Sequence, residues 1–309
     1  MANLRDVRLR MRAIQQTLQV TKAMNLISAS KLRRGRRVLE DTTPFFSRIQ
    51  KTMCDIVAGA GMIESRFFEG GQVTAIPEKS GPSASAGRET RRSAVLAVTS
   101  DKGLAGGYNA NIFREVNGLC EKLNNPVLIL SGAVGYRYFI HSPHLILENF
   151  SFNSRLPSLD EAGGIADFII SQYLWGMFDE VHIVYTHMYS AVKLLPVIRH
   201  ILPLSKEKMQ TAIAESGEQR RVELQFEYLP SEEAVFDFLV PMYIKGIIYG
   251  CLVEAYAAEQ SARMAAMDDA SKNAEEMLAS LRLSYNRARQ AGITQEVTEI
   301  VSGSAALGA

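Results

Sequence analysis

The chain has 309 residues, 47% of them hydrophobic, and a formal net charge of +1 at pH 7. This length allows one large domain, or a smaller domain with long extensions, and the apolar content is sufficient for a packed core. The balanced charge argues against a polyelectrolyte partner for the whole chain. The three widely separated cysteines exclude a cysteine-based zinc motif and favour buried thiols in a reducing compartment.

The first segment, 1–58, is predicted to be one helix of a coiled coil. It has no proline before Pro44, where we expect a kink, and its stripe positions recur at alternating steps of three and four residues, the heptad spacing. These positions are Leu4, Val7, Met11, Ile14, Leu18, Thr21, Asn25, Ser28, Leu32 and Leu39. Residues 1–37 contain ten Lys or Arg and a single acid, Asp6, which favours an acidic partner. A transit peptide has a similar composition, but the stripe continues without a break, so a cytoplasmic bacterial protein is the simpler interpretation.

Residues 59–93 are rich in Gly, Ser, Ala, Pro and charge, and are predicted to be a linker with a disordered part at 79–92. Residues 94–229 are predicted to form a central α/β domain, because strand-like and helix-like runs alternate. The predicted strands are 94–99, 127–130, 145–150, 181–186, 194–201 and 222–229. The predicted helices are 109–123, 133–141 and 159–175, the last opened by a capping box from Ser158 to Glu161.

The last segment, 230–309, is predicted to be a second long helix. A helix of about 70 residues would extend over roughly 105 Å and needs a partner along its length. The helix at the start of the chain is the available partner, so we expect an antiparallel coiled coil of the two chain ends. Its predicted stripe is Phe238, Met242, Ile248, Leu252, Ala255, Ala262, Ala266, Ala270, Ala274, Leu278, Leu281, Tyr285 and Ala288. The apolar run 236–258 contains three charged residues, which favours a buried helix over a membrane span.

A glycine turn, SDKGLAGGYN at 100–109, lies between the first predicted strand and the next helix, as a phosphate-binding loop does. It matches neither the Walker A spacing nor the dinucleotide fingerprint. We therefore expect Gly103, Gly106 and Gly107 to provide positive φ and close packing, with Asp101 or Lys102 tying the loop to a neighbour. The five histidines, including His141 and His144, suggest loop residues rather than a metal site, and no nucleophile and base pair is apparent.

Three stretches resemble the gamma subunit of F-type ATP synthases: TKAMNLISASKLRR near the start, the glycine turn, and the end of the chain from EQSARM to SYNRARQAGITQEVTEIVSGSAAL. The resemblance covers almost the whole chain except the 60–92 linker. It implies a central rotor shaft, with a long antiparallel coiled coil and a central Rossmann-like α/β domain. It also implies that the glycine turn binds no nucleotide, and that no cofactor, metal or catalytic residue is present.

The resemblance further implies contact residues. Met24, Arg263, Arg289, Gln290 and Thr294 are expected to meet the hexamer of alpha and beta subunits. Phe226 and Tyr228 are expected on the side of the epsilon subunit and the ring of c subunits. The shaft is expected at the cytoplasmic face of the bacterial membrane, peripheral and not inserted. The plant-type insertion with a close cysteine pair is absent, so thiol switching is not expected.

Two other functions stay open from the residues alone. One is a Rossmann-like nucleotide-binding enzyme with helical dimerisation arms, which the glycine turn favours. The other is a nucleic-acid-binding coiled coil, which the basic first segment favours and which predicts steeply salt-dependent DNA affinity. The resemblance implies no nucleic-acid partner.

Overall fold

A computed structural model of the chain describes residues 4–59, 65–68, 92–123, 126–152, 155–205, 209 and 228–307, with side chains to residue 302. The helices are α1 (Leu4–Gly59), α2 (Tyr108–Lys122), α3 (Ala133–Phe139), α4 (Leu159–Leu174) and α5 (Glu232–Leu307). The strands are β1 (Ser93–Val98), β2 (Val127–Ser131), β3 (Ile146–Phe150), β4 (Glu180–Met188) and β5 (Leu194–Leu202). The mixed α/β class with two long helices is as predicted.

The five strands form one sheet in the order β3-β2-β1-β4-β5. The first four are parallel, with helices between them in the chain, and β5 pairs with β4 in the antiparallel direction. The strand order reverses between β1 and β4, as in doubly wound folds. The first five predicted strands and the three short helices are therefore confirmed, with ends shifted by up to two residues.

Local sequence signals explain where these elements begin. Every residue of β1 is buried, so the strand reads as a continuous apolar run rather than an alternating one. Helix α4 begins at the predicted capping box: Ser158 Oγ accepts from the Glu161 amide, and the Glu161 carboxylate accepts from the Ser158 amide at 2.8 Å. The two contacts satisfy amide groups that the first helical turn leaves without a partner.

The chain forms two compact units, one of residues 31–262 and one of residues 1–30 with 263–309. In the first unit, one face of the sheet packs against α4 and parts of α1 and α5, and the other face packs against α2. Helices α1 and α5 approach closely here, since a Cβ on Gly246 would overlap the ring of Phe46. The predicted four-part division of the chain stays a prediction.

The predicted stripe of α5 is wrong at its start. Phe238 is 70% exposed and Met242 is 37% exposed, whereas Phe236, Val240 and Ile244 are fully buried. The helix turns a neighbouring face to the core, because a run in which almost every residue is apolar does not define one face. The later stripe positions, from Ile248 to Ala288, are all buried or half-buried.

Three further predictions concern the length of α1, the linker with the last predicted strand, and the apolar part of α5. Helix α1 continues through Pro44 to Gly59, as predicted. Most of the 59–93 linker and the predicted strand 222–229, up to residue 227, lie outside the described residues. By length and composition α5, between Glu232 and Ser302, meets the criterion for a membrane-spanning helix, and 44% of its most apolar window is buried inside the protein.

Candidate interaction surfaces on the long helices

The glycine turn after β1 is closed by contacts within the chain. The Asp101 carboxylate accepts from the amide of Ala133 at 3.1 Å and from the hydroxyl of Ser151 at 2.8 Å. The side-chain oxygen of Asn109 accepts from the amide of Ser100 at 3.1 Å. The prediction that Asp101 ties this loop to a neighbour is confirmed, because its carboxylate joins the loop to the first residue of α3 and to Ser151.

The role predicted for the three glycines holds for only one of them. Gly106 has a φ of +55°, but Gly107 has a φ of −81°, and Gly103 is not among the positive-φ residues. A Cβ on Gly103 would meet nothing within 4 Å. The glycine that the fold requires is Gly132, with a φ of +108°, because a Cβ there would overlap the carbonyl of Thr99.

The recess at the carboxyl ends of β1 and β2 has a volume of about 30 Å³. Among its lining residues are Thr99, Asp101, Ser131, Gly132 and Glu259. Sites for nucleotide-sized ligands are typically about 300–1,000 Å³. The recess has room for a water molecule and not for a nucleotide.

In the second compact unit, residues 4–30 of α1 pack against α5 from Arg263 onward as an antiparallel pair. Four side-chain contacts join the two helices, and from Arg8 to Asn25 on α1 the partner on α5 changes from Tyr285 back to Met264. They are Arg8 Nη2 with Tyr285 Oη at 2.6 Å, Lys22 Nζ with Glu275 Oε1 at 2.6 Å, Thr21 Oγ1 with Ser271 Oγ at 2.8 Å and Asn25 Nδ2 with Met264 O at 3.0 Å. The predicted antiparallel coiled coil is confirmed for this unit.

The seam of this coiled coil is narrow and partly polar. All seven α1 stripe positions from Val7 to Ser28 are buried or half-buried, and most of the residues between them are exposed. On α5 the seam includes Met267, Ser271, Ala274 and Leu278, all buried. Small and hydroxyl side chains allow two helices to approach closely.

The predicted contact residues of the coiled coil differ in exposure. Met24 is half-buried beside the seam, and Arg289, Gln290 and Thr294 are exposed. The Thr294 hydroxyl donates to the Gln290 carbonyl at 2.9 Å, within its own helix. Arg263 is only 7% exposed and interacts within the chain. Three of the five residues are therefore fully available to a partner, and Arg263 is not.

The two residues predicted to face the epsilon subunit and the c-ring are less informative. Phe226 lies outside the described residues. Tyr228 is half-buried and packs against the apolar core of the unit formed by residues 31–262. Burial is the main reason that the pKa of Tyr228 is raised, with smaller contributions from the carboxylates of Asp55 and Glu232.

Both long helices carry exposed apolar side chains in this unit that were not among the predicted contact residues. On α1 they include Leu9, Val20 and Ile27, which lie on one side of the helix away from the seam. On α5 they include Ile293, Val297, Ile300 and Val301 near the end of the helix. The steps of four and three from Ile293 to Ile300 were a readable signal for one helix face.

Every described side chain from Ile293 to Ser302 is exposed, so no described part of the chain covers this end of α5. An isolated helical stretch with four exposed β-branched apolar residues gains little from its own propensity or packing. Apolar patches of this kind mark surfaces that bind other proteins.

Comparisons with known proteins agree with this geometry. A family model described as ATP synthase matches residues 3–307. The ATP synthase gamma chain of Ruminiclostridium cellulolyticum is 40% identical over 306 residues, covering 99% of each chain, and that of Acetivibrio thermocellus is 40% identical over 311 residues, covering 99% of this chain and 100% of the relative.

Solved structures share the fold. A chain in the OSCP/F1/c-ring structure of the Euglena gracilis mitochondrial ATP synthase superimposes with a TM-score of 0.63 at 16% identity, over 98% of this chain and 94% of the other. A chain from the central stalk and c-ring of the Tetrahymena thermophila enzyme gives 0.55 at 24% identity, over 82% and 99%. From the family model and the full-length relatives at 40% identity, the chain belongs to the ATP synthase gamma chain family.

Proposed function

We propose that this chain is the central rotor shaft of an F-type ATP synthase. It couples proton-driven rotation of the c-ring to conformational cycling of the catalytic alpha and beta subunits, for ATP synthesis or hydrolysis, and has no catalytic residue of its own. The observation that carries the proposal is the antiparallel coiled coil of residues 4–30 and 263–302, whose outer side chains are largely exposed. Its end from Ile293 to Ser302 requires a protein partner to cover it.

The partner that surrounds this coiled coil is the hexamer of alpha and beta subunits. Arg289, Gln290 and Thr294 are exposed and meet the hexamer directly, and Met24 meets it beside the seam. Arg263 acts from within the chain, because its side chain is buried. The exposed apolar residues at 293–301 extend this contact surface toward the end of α5.

The free energy needed to switch a catalytic subunit between its two states limits how the shaft can act. Switching a two-state catalytic subunit from 1:99 to 99:1 takes about 5.5 kcal/mol of differential contact energy. One exposed ion pair contributes about 0–1 kcal/mol. No single contact of Arg289 with an acidic group is sufficient, so the asymmetric bulk and the stiffness of the coiled coil provide most of the switching energy.

The other end of the shaft meets the epsilon subunit and the c-ring, with Tyr228 and Phe226 in this region. The shaft is therefore peripheral to the cytoplasmic face of the bacterial membrane. The apolar part of α5 supports this assignment, because Phe236, Val240 and Ile244 are used in the protein core and do not face lipid.

The rival proposal, a nucleotide-binding enzyme, predicts micromolar binding of ATP or NAD to the isolated chain by titration calorimetry. The recess of about 30 Å³ at the carboxyl ends of β1 and β2 predicts no measurable heat of binding.

The proposal is tested by purifying the tagged chain from its native host under mild detergent conditions. We expect the alpha, beta, epsilon and c subunits to copurify in fixed ratio. A variant with Ile293, Val297 and Ile300 all changed to Asp should lose the alpha and beta subunits while its circular dichroism stays helical. A chain that purifies alone, or only with nucleic acid, contradicts the proposal.

A further inference from the structure

Two histidines and a glutamate meet on one side of the sheet near the start of β4. His182 lies opposite His200 in the register between β4 and β5, and Glu180 precedes His182 by two residues. Side chains two apart on a strand lie on the same face, so all three share one face of the sheet. One ligand atom from each residue lies within 4.8 Å of the other two.

The spacing fits a small transition-metal ion. Ligands bound to one tetrahedral zinc ion at about 2.0–2.1 Å are about 3.3–3.4 Å apart. Glu180 Oε1 and His182 Nε2 are 3.7 Å apart, and the two imidazole centroids are separated by 5.0 Å. The other two pairs of ligand atoms lie within 4.8 Å, so side-chain movements of at most about 1.5 Å would bring all three atoms to ligand distance.

The surroundings provide the polar support that a metal ligand requires. The hydroxyl of Ser93 donates to Glu180 Oε1 and orients the carboxylate. The Glu180 and His182 side chains are only 15% and 14% exposed. His182 Nε2 is buried without a hydrogen-bond partner in the described structure, an arrangement that costs free energy unless something binds there.

We propose that Glu180, His182 and His200 bind one divalent transition-metal ion, with Zn²⁺ as the best fit to two imidazoles and a carboxylate. A water molecule would complete the tetrahedron. The ion would link β4 to β5, the antiparallel strand at the end of the sheet order, and so fix that strand to the sheet. None of these three residues is among those proposed above to contact the other subunits.

The sequence reasoning expected no metal site among the five histidines. His182 and His200 are far apart in sequence, and only the β4 and β5 hairpin brings them together. A second histidine and carboxylate pair, His187 with Glu254, is already joined at 2.6 Å and has no third ligand nearby among the described residues.

The test uses the full chain, freed of metal with a chelator and titrated with ZnCl₂ by calorimetry. We expect one zinc ion per chain, and binding at least about 100-fold weaker in His182→Gln and His200→Gln. His141→Gln is the matched control, because His141 is exposed and outside the cluster. Co²⁺ should give the visible absorption bands of a tetrahedral site in the native chain and in His141→Gln only.

Two further measurements separate a lost ligand from a misfolded protein. Ser93→Ala keeps all three ligands and should weaken zinc binding by about 10–100-fold, since it removes only the group that orients Glu180. Saturating zinc should raise the melting temperature of the native chain by on the order of 5 °C and leave His182→Gln unchanged. No zinc binding by the native chain, or equal affinity in the histidine variants, overturns the proposal.

Discussion

The hydroxyl oxygens of Thr21 and Ser271 lie 2.8 Å apart in the seam between α1 and α5 and share a hydrogen bond. Both residues are buried, and each hydroxyl is also within hydrogen-bond distance of a carbonyl one turn earlier in its helix, that of Leu18 or Met267. This contact fixes the register of the two helices in the middle of the seam. Buried polar groups in a seam between two helices commonly specify register in this way.

A double-mutant cycle at this pair should show positive coupling. Thr21→Val should lower the free energy of unfolding by about 1 kcal/mol, because the Ser271 hydroxyl loses its cross-helix partner. Adding Ser271→Ala should cost less in that background than in the native chain. Thermal unfolding followed by helical circular dichroism gives the four values, and purely additive values would contradict a hydrogen bond across the seam.

Glycine substitutions should distinguish the close approach of the two long helices from ordinary helix positions. Gly246→Ala should destabilise the protein by about 1–3 kcal/mol, because the new Cβ overlaps the Phe46 ring. Gly250→Ala, one turn later, is the control. A Cβ there meets nothing within 4 Å, so this variant should be stabilised by about 0.5–1 kcal/mol. Chemical denaturation measures both, and equal effects would disprove the tight contact.

Stability should fall in alkaline solution because of two buried thiols. Burial, with a smaller contribution from Glu121, raises the pKa of Cys120 from 9.0 to about 11. Burial also raises the pKa of Cys251 to about 12, partly offset by Arg199. The folded state therefore holds these protons more tightly than the unfolded state, so their contribution is complete below pH 9 and is lost as the pH rises toward 11 and 12.

The melting temperature should accordingly be steady to about pH 8 and fall between pH 9 and 11. The double variant Cys120→Ala and Cys251→Ala should show a smaller decline over the same range. The native thiols should also resist alkylation near pH 8 until the protein is unfolded. Rapid labelling of the folded chain would show that the thiols are accessible.

Two changes in α5 should have unequal effects if the stiffness of the coiled coil provides most of the switching energy. Leu281→Pro removes a helix hydrogen bond within the seam, at a cost of about 3 kcal/mol, and should uncouple proton pumping from ATP hydrolysis in the assembled enzyme. Arg289→Ala removes one exposed side chain and should slow coupled turnover by no more than about fivefold. The test measures the number of protons pumped per ATP hydrolysed. The same ratio in Leu281→Pro as in the native enzyme would contradict a role for the stiffness of the coiled coil.

The sequence correctly predicted those parts of the fold in which the spacing of apolar residues is compatible with only one buried face. Polar residues separate the positions of the α1 stripe, so the buried face predicted for α1 from Leu4 to Leu39 was correct. From Phe236 to Met242 every residue of α5 except Asp237 is apolar, so the pattern did not distinguish Phe238 from Phe236. The sequence pattern pointed to the three glycines of one loop. The position at which the backbone requires glycine is Gly132, because a side chain there would overlap Thr99, which belongs to another strand segment.

The residues of the candidate interaction surface were predicted less completely than the helices and strands. The resemblance placed Arg289, Gln290 and Thr294, which are exposed, but also Arg263, whose burial depends on the packed structure and is not visible in its neighbours in sequence. Phe226 lies outside the described residues, and its role stays a prediction. The pairing of His182 with His200 requires the strand register, which no local pattern contains.

Rotation of this chain inside the assembled enzyme tests the central claim most directly. Val192 is 93% exposed in the hairpin before β5, and Cys54, Cys120 and Cys251 are buried, so Val192→Cys offers one site for an optical probe. With the alpha and beta subunits fixed to a surface, the proposed shaft should turn the probe in one direction during ATP hydrolysis and stop when ATP is removed. ATP hydrolysis by the same complexes with a stationary or randomly reorienting probe would contradict the account.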